Sequence, residues 1–386
     1  MKILLIVNSD IGRKNTIGFR FGKIAAELKN QKIDFSILAR ANYSGFQVKT
    51  PFYKNYLARF FNALRIYLLP FLNFRKLDVW FFDRFVLKNL KKTRTWDLVH
   101  LGEYLPKSMN YLKKQGIKIF LDIPIGHYRY SQYLKKNGFK QDVGAEKRYE
   151  FIDKAIGLSD VLIVPSRFVK KTLDMADFSD KKIEIVPFGV DLPKNFKEED
   201  IIKKINNQTS ITKKIVFIFM GAVNYRKGIN FLLEAWNKAN LKDAELLICG
   251  RVYKSVKKEI KKYKNNNVKF LGFVDVREYL KKSHVFVFAS LLEGSAKAVY
   301  EAMSYGLPVI TTENAGSIVE NGQSGFIVDI GDVEALKEKI SYFYNNREKI
   351  LEIGINAFQK SYQYTWNNYA KNIIKIYQDF FINLNE

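Results

Sequence analysis

Two glutamates flank a turn and a short helix that the sequence predicts near residue 300. Glu293 is followed directly by Gly294 and Ser295, and seven residues separate it from Glu301. Ser295 is a good N-cap because its hydroxyl can accept from an early helix amide, and glycine lets backbone approach a ligand closely. The amides of a first helical turn favour anions. This spacing predicts two carboxylates beside a place where a phosphate could rest.

A turn, a capped helix and two solvated glutamates also occur in many α/β proteins without such a role. A longer pattern is more specific. It consists of two glutamates separated by seven residues and followed by Gly306-Leu307-Pro308. It resembles the E-x7-E signature of the family-4 retaining glycosyltransferases. The resemblance implies the GT-B fold, an α/β fold in which two Rossmann-like domains with parallel sheets face each other across a cleft.

A pair of cations, Arg226 and Lys227, lies on a loop after a predicted buried strand. Arginine offers a planar fork and lysine a point charge, and both match phosphate oxygens. Adjacent cations in a chain with 64 Lys and Arg are commonly just solvated. However, Tyr225-Arg226-Lys227-Gly228 resembles the phosphate-binding motif of the family. The sequence departs from that motif at Ala222, where many relatives have arginine.

The resemblance also implies the roles of the donor-site residues. Glu301 would accept from ribose hydroxyls, Glu293 would face the transferred sugar, and backbone near Arg251 and Val274 would line the base. The implied donor-binding residues are Gly221, Arg226, Lys227, Arg251, Val274, Glu293, Gly294, Ser295, Ala296 and Glu301. The implied catalytic residues are Glu293, His127, Arg226 and Lys227, of which the cations act where charge develops on the leaving diphosphate.

The acceptor side falls in the first half of the chain, where the resemblance is weaker. Gly12 stands alone in a loop in which relatives often have paired glycines. His127 follows a predicted strand and resembles the family position whose backbone carbonyl faces the anomeric centre, although a lone loop histidine is more often structural. A double displacement would need a carboxylate nucleophile, for which Asp122 is the candidate near His127. The resemblance favours a front-face route instead.

No metal or cofactor is expected. The chain has no Asp-x-Asp pair, and its three histidines are not spaced as metal ligands. The expected co-substrate is a nucleoside-diphosphate sugar, with UDP as the favoured nucleotide.

Apolar strands alternating with helices predict parallel sheets covered on both faces. The expected division is an acceptor-side domain over 1–195, a nucleotide-sugar domain over 196–365, and a terminal helix over 366–386 that crosses back to the first domain. The polar stretch 198–214 is predicted to be a linker. The chain has a single cysteine, Cys249, which favours a reducing compartment. The apolar run at the N-terminus is too short to be the core of a signal peptide. A cytoplasmic protein is expected.

The formal charge of +25 is concentrated in the first half, where residues 1–195 carry 36 basic and 18 acidic residues. Residues 49–94 hold eleven Lys or Arg, interleaved with aromatic residues, against Asp78 and Asp83. Such a segment suits the surface of an anionic membrane, and helices with merely solvated lysines are the open alternative. Nucleic acid is not expected as a partner, because no zinc-finger spacing or RNP-like motif supports it.

These observations predict a retaining hexosyltransferase that uses a glycan or lipid-linked acceptor in cell-surface polysaccharide synthesis. The alternatives are a transferase that makes a soluble sugar conjugate, a non-catalytic sugar- or lipid-binding relative of the same fold, and a basic nucleic-acid-binding protein.

Overall fold

The computed structural model describes residues 1–14, 16–51, 74–93, 96–140, 151–206, 214–263 and 267–383. Much of the basic segment predicted to meet a membrane, residues 52–73 and 94, therefore lies outside the described residues. The described chain forms two six-stranded sheets in which every pairing is parallel. The predicted two-domain α/β fold is confirmed.

The first sheet has the strand order β2-β1-β3-β4-β5-β6. Its strands are near-continuous apolar runs, as expected for a parallel sheet buried on both faces. The strands are β1 (Lys2–Ile11), β2 (Asp34–Asn42), β3 (Leu98–Leu101), β4 (Lys118–Asp122), β5 (Val161–Val164) and β6 (Lys182–Ile185). The helices of this half are α1 (Ile17–Asn30), α2 (Phe74–Lys92), α3 (Pro106–Lys114), α4 (Tyr128–Lys136), α5 (Ile152–Leu158) and α6 (Arg167–Asp174).

The second sheet has the order β12-β11-β10-β7-β8-β9, with β7 and β10 at its centre. Its strands are β7 (Ile215–Met220), β8 (Ala244–Cys249), β9 (Val268–Gly272), β10 (Val285–Phe288), β11 (Val309–Thr312) and β12 (Gly325–Val328). Its helices are α7 (Glu198–Asn206), α8 (Ile229–Ala239), α9 (Lys257–Lys262), α10 (Arg277–Lys282), α11 (Lys297–Met303), α12 (Val333–Asn345) and α13 (Arg347–Ser361).

The last helix, α14 (Trp366–Ile382), packs on the first sheet rather than the second. Trp366, Tyr369 and Tyr377 are buried among side chains of β1 and α1. The ring of Phe19 meets that of Trp366 edge-on, with centroids 5.3 Å apart. The chain therefore ends on the domain in which it began.

Two local features differ from the sequence-based expectation. The stretch predicted as a linker contains helix α7, whose Ile201 and Ile205 are buried in the core of the second domain. These two isoleucines lie one helical turn apart. Because charged residues surround them, the sequence pattern did not indicate a helix with a buried face. In addition, Gly12 was expected within a loop, and the loop is short because β1 continues to Ile11, the residue just before Gly12.

Candidate active site

The predicted cation pair lies on a short turn at the carboxyl end of the central strand β7. The side chain of Asn224 accepts from the amide of Lys227 at 3.1 Å and closes a 3-10 turn over Tyr225–Lys227. Gly228 then adopts a φ of 69°, and a Cβ there would lie 1.8 Å from the carbonyl oxygen of Ala289. Glycine is therefore required where this turn passes the loop after β10.

The two loops converge on Glu293. The Nζ of Lys227 lies 2.5 Å from Oε1 of Glu293, and Nη1 of Arg226 donates to the same oxygen. The hydroxyl of Ser290 donates to this carboxylate at 3.2 Å and to the carbonyl of Arg226 at 3.0 Å. Three of the four residues with implied catalytic roles thus form one ion cluster, which we call the Glu293 triad (Arg226, Lys227 and Glu293).

The Glu293 triad is mostly buried, and this fixes its electrostatics. Burial alone would raise the pKa of the Glu293 carboxyl, but Lys227 and Arg226 outweigh it and hold that pKa below its ordinary value. Burial lowers the pKa of Lys227, and the neighbouring Arg226 acts in the same direction while Glu293 opposes it. The carboxylate is therefore ionised at neutral pH, and the amine loses its proton at a lower pH than an exposed lysine does.

The start of the helix beyond Glu293 differs from the prediction. Helix α11 begins at Lys297 with Ala296 at the N-cap, and Ser295 does not cap it. The hydroxyl of Ser295 instead contacts that of Tyr300 at 2.5 Å, and the amide of Ala296 donates to the carbonyl of Ala315 at 2.9 Å. The amide of Ala296 is therefore already bonded within the second domain, and the role of Ala296 in donor binding stays a prediction.

The glutamate loop is also where the two domains meet. A Cβ on Gly294 would lie 1.7 Å from the carbonyl oxygen of Pro124 in the first domain. The carbonyl of Gly294 accepts from the hydroxyl of Ser166 at 2.6 Å, and the amide of Gly126 donates to the carbonyl of Glu293 at 3.4 Å. Gly294 therefore serves close contact between domains, and the Glu293 triad sits at the edge of the cleft.

The remaining implied donor residues surround this point on the second domain. Glu301 lies on α11 with its carboxylate partly exposed, 3.6 Å from the Nζ of Lys297. The amide of Gly221, at the end of β7, donates to the carbonyl of Cys249 at 2.9 Å. Arg251 is exposed after β8, and Val274 is half-buried after β9. Gly221, Arg251 and Val274 lie just beyond the carboxyl ends of strands, where α/β sheets bind ligands, whereas Glu301 lies in the second turn of α11.

Phe273, beside Val274, was not predicted from the sequence to be a ligand-contacting residue. Its side chain is 94% exposed. Phenylalanine is ordinarily buried, so a sequence pattern alone assigns it to the core. An exposed ring next to the positions implied to line the base offers a flat surface for an aromatic ligand.

On the first domain, His127 is held inside a polar network. Its Nε2 lies 2.9 Å from Oδ1 of Asp153, its Nδ1 accepts from the amide of Arg129 at 3.4 Å, and its ring is fully buried. Burial lowers the pKa of His127, and Asp153 opposes the shift. Its carbonyl, on which the implied role depends, accepts from the amide of Tyr130 at 3.0 Å. The imidazole is thus a structural group, and the role of the carbonyl stays a prediction.

Asp122 and Gly12, the two residues predicted on the acceptor side, are both engaged in contacts within the first domain, and their predicted roles stay predictions. The carboxylate of Asp122 is buried and pairs with the Nη2 of Arg20 at 2.7 Å, while burial raises its pKa against the opposing effect of Arg20. A carboxylate neutralised inside the domain is not placed to attack a sugar. Gly12 packs its backbone against Tyr43, where a Cβ would lie 2.7 Å from the carbonyl oxygen.

A cavity of about 380 Å³ lies in the first domain, beside His127 and Gly126. Its polar lining comes from Asn8, Ser9 and Arg40 together with Glu103. Arg40 is oriented by Asp10, whose Oδ1 accepts from Nε at 3.1 Å and from Nη2 at 3.0 Å. We call this space the N-domain cavity. Glu103 follows β3 directly, so the rule that ligands bind at the carboxyl ends of strands could have identified it from the sequence.

In the described parts of the chain, His, Cys, Asp and Glu side chains do not gather in groups of three or more that could hold a metal ion. The expectation of a metal-independent reaction stays a prediction.

Two parallel sheets, with a charged cluster at the strand ends where the domains meet, define a two-domain transferase of the GT-B type. A sequence model described as Glycosyltransferase Family 4 matches residues 21–194, and one described as Glycosyl transferases group 1 matches residues 200–360. Together the two models span both domains. The chain belongs to the family-4 type of GT-B glycosyltransferases.

Known relatives agree with this assignment. The chain is 25% identical over 306 residues to an uncharacterised glycosyltransferase of Methanocaldococcus jannaschii. This alignment covers 76% of this chain and 78% of that protein. It is 28% identical over 217 residues to the capsular polysaccharide biosynthesis glycosyltransferase CapM of Staphylococcus aureus, covering 52% of this chain and 56% of CapM. The crystal structure of Anabaena HepE in complex with UDP and glucose superposes with a TM-score of 0.64 at 16% identity, over 98% of this chain and all of that chain.

Proposed function

We propose that this protein transfers a hexose from a UDP-sugar, with retention of configuration and without a metal ion, to a glycan or lipid-linked acceptor. The observation that carries the proposal is the Glu293 triad. Two adjacent cations at the carboxyl end of β7 are the chemistry that a diphosphate needs, and Glu293, after the neighbouring strand β10, holds them beside the contact between the domains.

A diphosphate would compete with Glu293 for the same cations. It carries more negative charge than one carboxylate and accepts more hydrogen bonds, so Arg226 and Lys227 would turn to the phosphates. Glu293 would then be released toward the sugar hydroxyls. Glu301 would accept from the ribose, and the exposed ring of Phe273 would stack on the base.

The reaction would follow a front-face route. The bond from the anomeric carbon to the leaving phosphate oxygen breaks, and the acceptor oxygen bonds to that carbon on the same face. The acceptor proton passes to the departing phosphate, so no carboxylate nucleophile is needed. Arg226 and Lys227 stabilise the charge that develops on the diphosphate.

The choice of donor and pathway is supported by named relatives. HepE was crystallised with UDP and glucose, and CapM is named for capsular polysaccharide biosynthesis. UDP as the donor nucleotide and cell-surface polysaccharide synthesis as the setting are therefore our proposals for this chain.

We further propose that the protein acts at the cytoplasmic face of an anionic membrane. Leu77, Trp80, Arg84, Lys88 and Lys91 are exposed and follow one stripe of α2, with the apolar residues at one end and the cations toward the other. The guanidinium of Arg84 lies 3.6 Å from the centroid of the Trp80 ring. Such a stripe suits a bilayer interface. Across the described residues, every helix is too short or too polar to span a bilayer.

Sedimentation with liposomes tests the membrane part. The protein should pellet with anionic vesicles at low salt. The double variant Lys88→Gln/Lys91→Gln should show a smaller bound fraction. Lys337→Gln with Lys349→Gln, on helices of the second domain, provides a charge-matched control. Equal recovery with neutral and anionic vesicles would contradict membrane binding.

A thermal-shift screen with UDP-, GDP- and ADP-sugars tests the donor. UDP-sugars should raise the melting temperature of the wild type but not of Arg226→Gln, while Arg277→Gln, an exposed arginine of the same domain, should behave as the wild type. NMR of the product then gives the anomeric configuration. No shift with any nucleotide sugar would refute the donor assignment, and binding without hydrolysis or transfer would indicate a non-catalytic relative.

A further inference from the structure

A second cavity, of about 290 Å³, lies where parts of both domains and the terminal helix meet. Its walls are mainly apolar, from Ile17 and Phe19 of α1, Phe188 after β6 and Trp366 of α14. The rings of Phe188 and Trp366 are stacked with centroids 6.4 Å apart. We call this space the aromatic groove. Nothing in the proposed donor chemistry uses it.

The polar groups around the aromatic groove are already engaged. Arg20 pairs with Asp122 and lies 4.3 Å from the centroid of the Phe188 ring. The Thr16 hydroxyl donates to the carbonyl of Arg13 at 2.7 Å and accepts from the amide of Phe19 at 3.3 Å. A sugar ring placed here would leave hydroxyls without partners, which is costly, whereas a hydrocarbon would lose nothing. The lining therefore selects an apolar occupant.

The aromatic groove adjoins the N-domain cavity, because Ile17 and Pro124 line both spaces. One molecule could thus place a polar head in the cavity and an apolar tail in the groove. Lys297 adds a positive charge at the groove, with its Nζ 6.0 Å from the centroid of the Trp366 ring and 3.6 Å from the carboxylate of Glu301, with which a phosphate would share it. A cation beside an apolar channel complements the phosphate that joins a sugar to a lipid.

We propose that the aromatic groove binds the hydrocarbon chain of a phosphate-linked lipid acceptor, whose head lies in the N-domain cavity. This inference rests on the proposed glycosyltransfer and deepens it, because it selects a lipid-linked acceptor over a free glycan. The first isoprenoid or alkyl segment next to the phosphate contacts Phe19, Phe188 and Trp366, while the rest of the chain leaves the protein.

Alkyl phosphates of increasing length test the inference without turnover. Binding below the micelle concentration should strengthen by about fourfold per added methylene until the groove is filled, whereas methyl phosphate should bind weakly. Decyl phosphate with a bromine at the chain end should quench tryptophan fluorescence, and Trp366→Phe should remove most of that quenching. Quenching that persists in Trp366→Phe would overturn the assignment.

Substitutions at Phe19 supply the matched comparison. Phe19→Ser should weaken decyl phosphate binding by roughly tenfold, Phe19→Leu should retain it, and Phe46→Ser, a half-buried phenylalanine elsewhere in the domain, should have no effect. If Phe19→Ser fails to fold, Ile17→Gln tests the same wall. Unchanged binding in the folded variant would overturn the inference.

Binding of UDP-glucose, followed separately by thermal shift, distinguishes the two proposals. A protein that binds UDP-glucose but shows no dependence on alkyl chain length overturns the groove and leaves the transferase standing. Chain-dependent binding without any nucleotide-sugar binding overturns the proposed transfer instead.

Discussion

Two buried ion clusters, one in each domain, are arranged in different ways. In the second domain, Arg226 and Lys227 share the single carboxylate of Glu293, so two cations face one anion. In the first domain, Arg20 and Asp122 form a separate one-to-one pair inside the fold. A shared cluster at a cleft can exchange its carboxylate for a ligand anion, whereas a closed pair under a sheet can only stabilise the fold. Under the proposed function, the Glu293 triad would serve binding, while the Arg20–Asp122 pair stabilises the fold.

Asp122→Asn should show the structural side of this comparison. It leaves the buried Arg20 without a counter-charge, so we expect a loss of about 3 kcal/mol or more in the free energy of unfolding, measured by urea denaturation. Donor binding by the folded fraction should not change. Asp177→Asn removes an exposed partner of Arg129 and should cost well under 1 kcal/mol. A stable Asp122→Asn with weakened UDP binding would reverse the comparison.

Glu293→Gln should show the functional side. We expect turnover, followed as UDP release from UDP-sugar, to fall about 100-fold because the ionised group that faces the sugar is lost. The affinity for UDP, measured by calorimetry, should stay the same or increase, since the cations lose their internal competitor. Melting temperature checks that the variant is folded.

Glu313→Gln is a suitable control, because Glu313 forms an exposed ion pair with Lys171 across the same interface. It should keep wild-type turnover. A Glu293→Gln protein that retains turnover but loses UDP affinity would mean that Glu293 organises the phosphate site and does not act on the sugar.

The sequence could indicate that Arg226, Lys227 and Glu293 lie near one another because these residues come from two short contiguous stretches. Glu293 and Glu301 lie on one turn and its helix, and Arg226 and Lys227 are adjacent. Their convergence follows from two central strands that end side by side. The sequence does not determine the direction of each side chain. We therefore predicted that Arg226 and Lys227 contact a phosphate and did not predict that they pair with Glu293.

The acceptor side was harder to predict because its parts come from separate segments. The N-domain cavity combines residues within β1 and β2 with residues after β3 and β4, and no single stretch of sequence contains the set. Gly12 is not part of the lining of this cavity, and Asp122 pairs with Arg20, which lies 102 positions away in the sequence. Such contacts depend on tertiary packing, which periodicity does not report.

The pH dependence of donor binding tests the buried cation. Burial lowers the pKa of Lys227, so its charge is lost at a lower pH than that of an exposed lysine. Binding of UDP requires the charged form, and above the pKa the dissociation constant should rise by up to about tenfold per pH unit. Lys227→Arg keeps its charge and should show a flatter profile between pH 8 and 10. Comparing the two proteins cancels the titration of UDP itself, and parallel profiles would exclude Lys227 as the titrating group.

The smallest expected effect concerns the exposed ring beside the base positions. Phe273→Ala should weaken UDP binding by about 1 kcal/mol, or roughly fivefold, because stacking on a base is lost while the phosphate contacts remain. Pyrophosphate, which has no base, should bind Phe273→Ala and the wild type equally. Tyr362→Ala removes an aromatic ring of 45% exposure elsewhere on the same domain and should leave both ligands unaffected. Equal losses for UDP and pyrophosphate would show that Phe273 supports the fold of its loop, and the base would then be recognised by backbone near Arg251 and Val274.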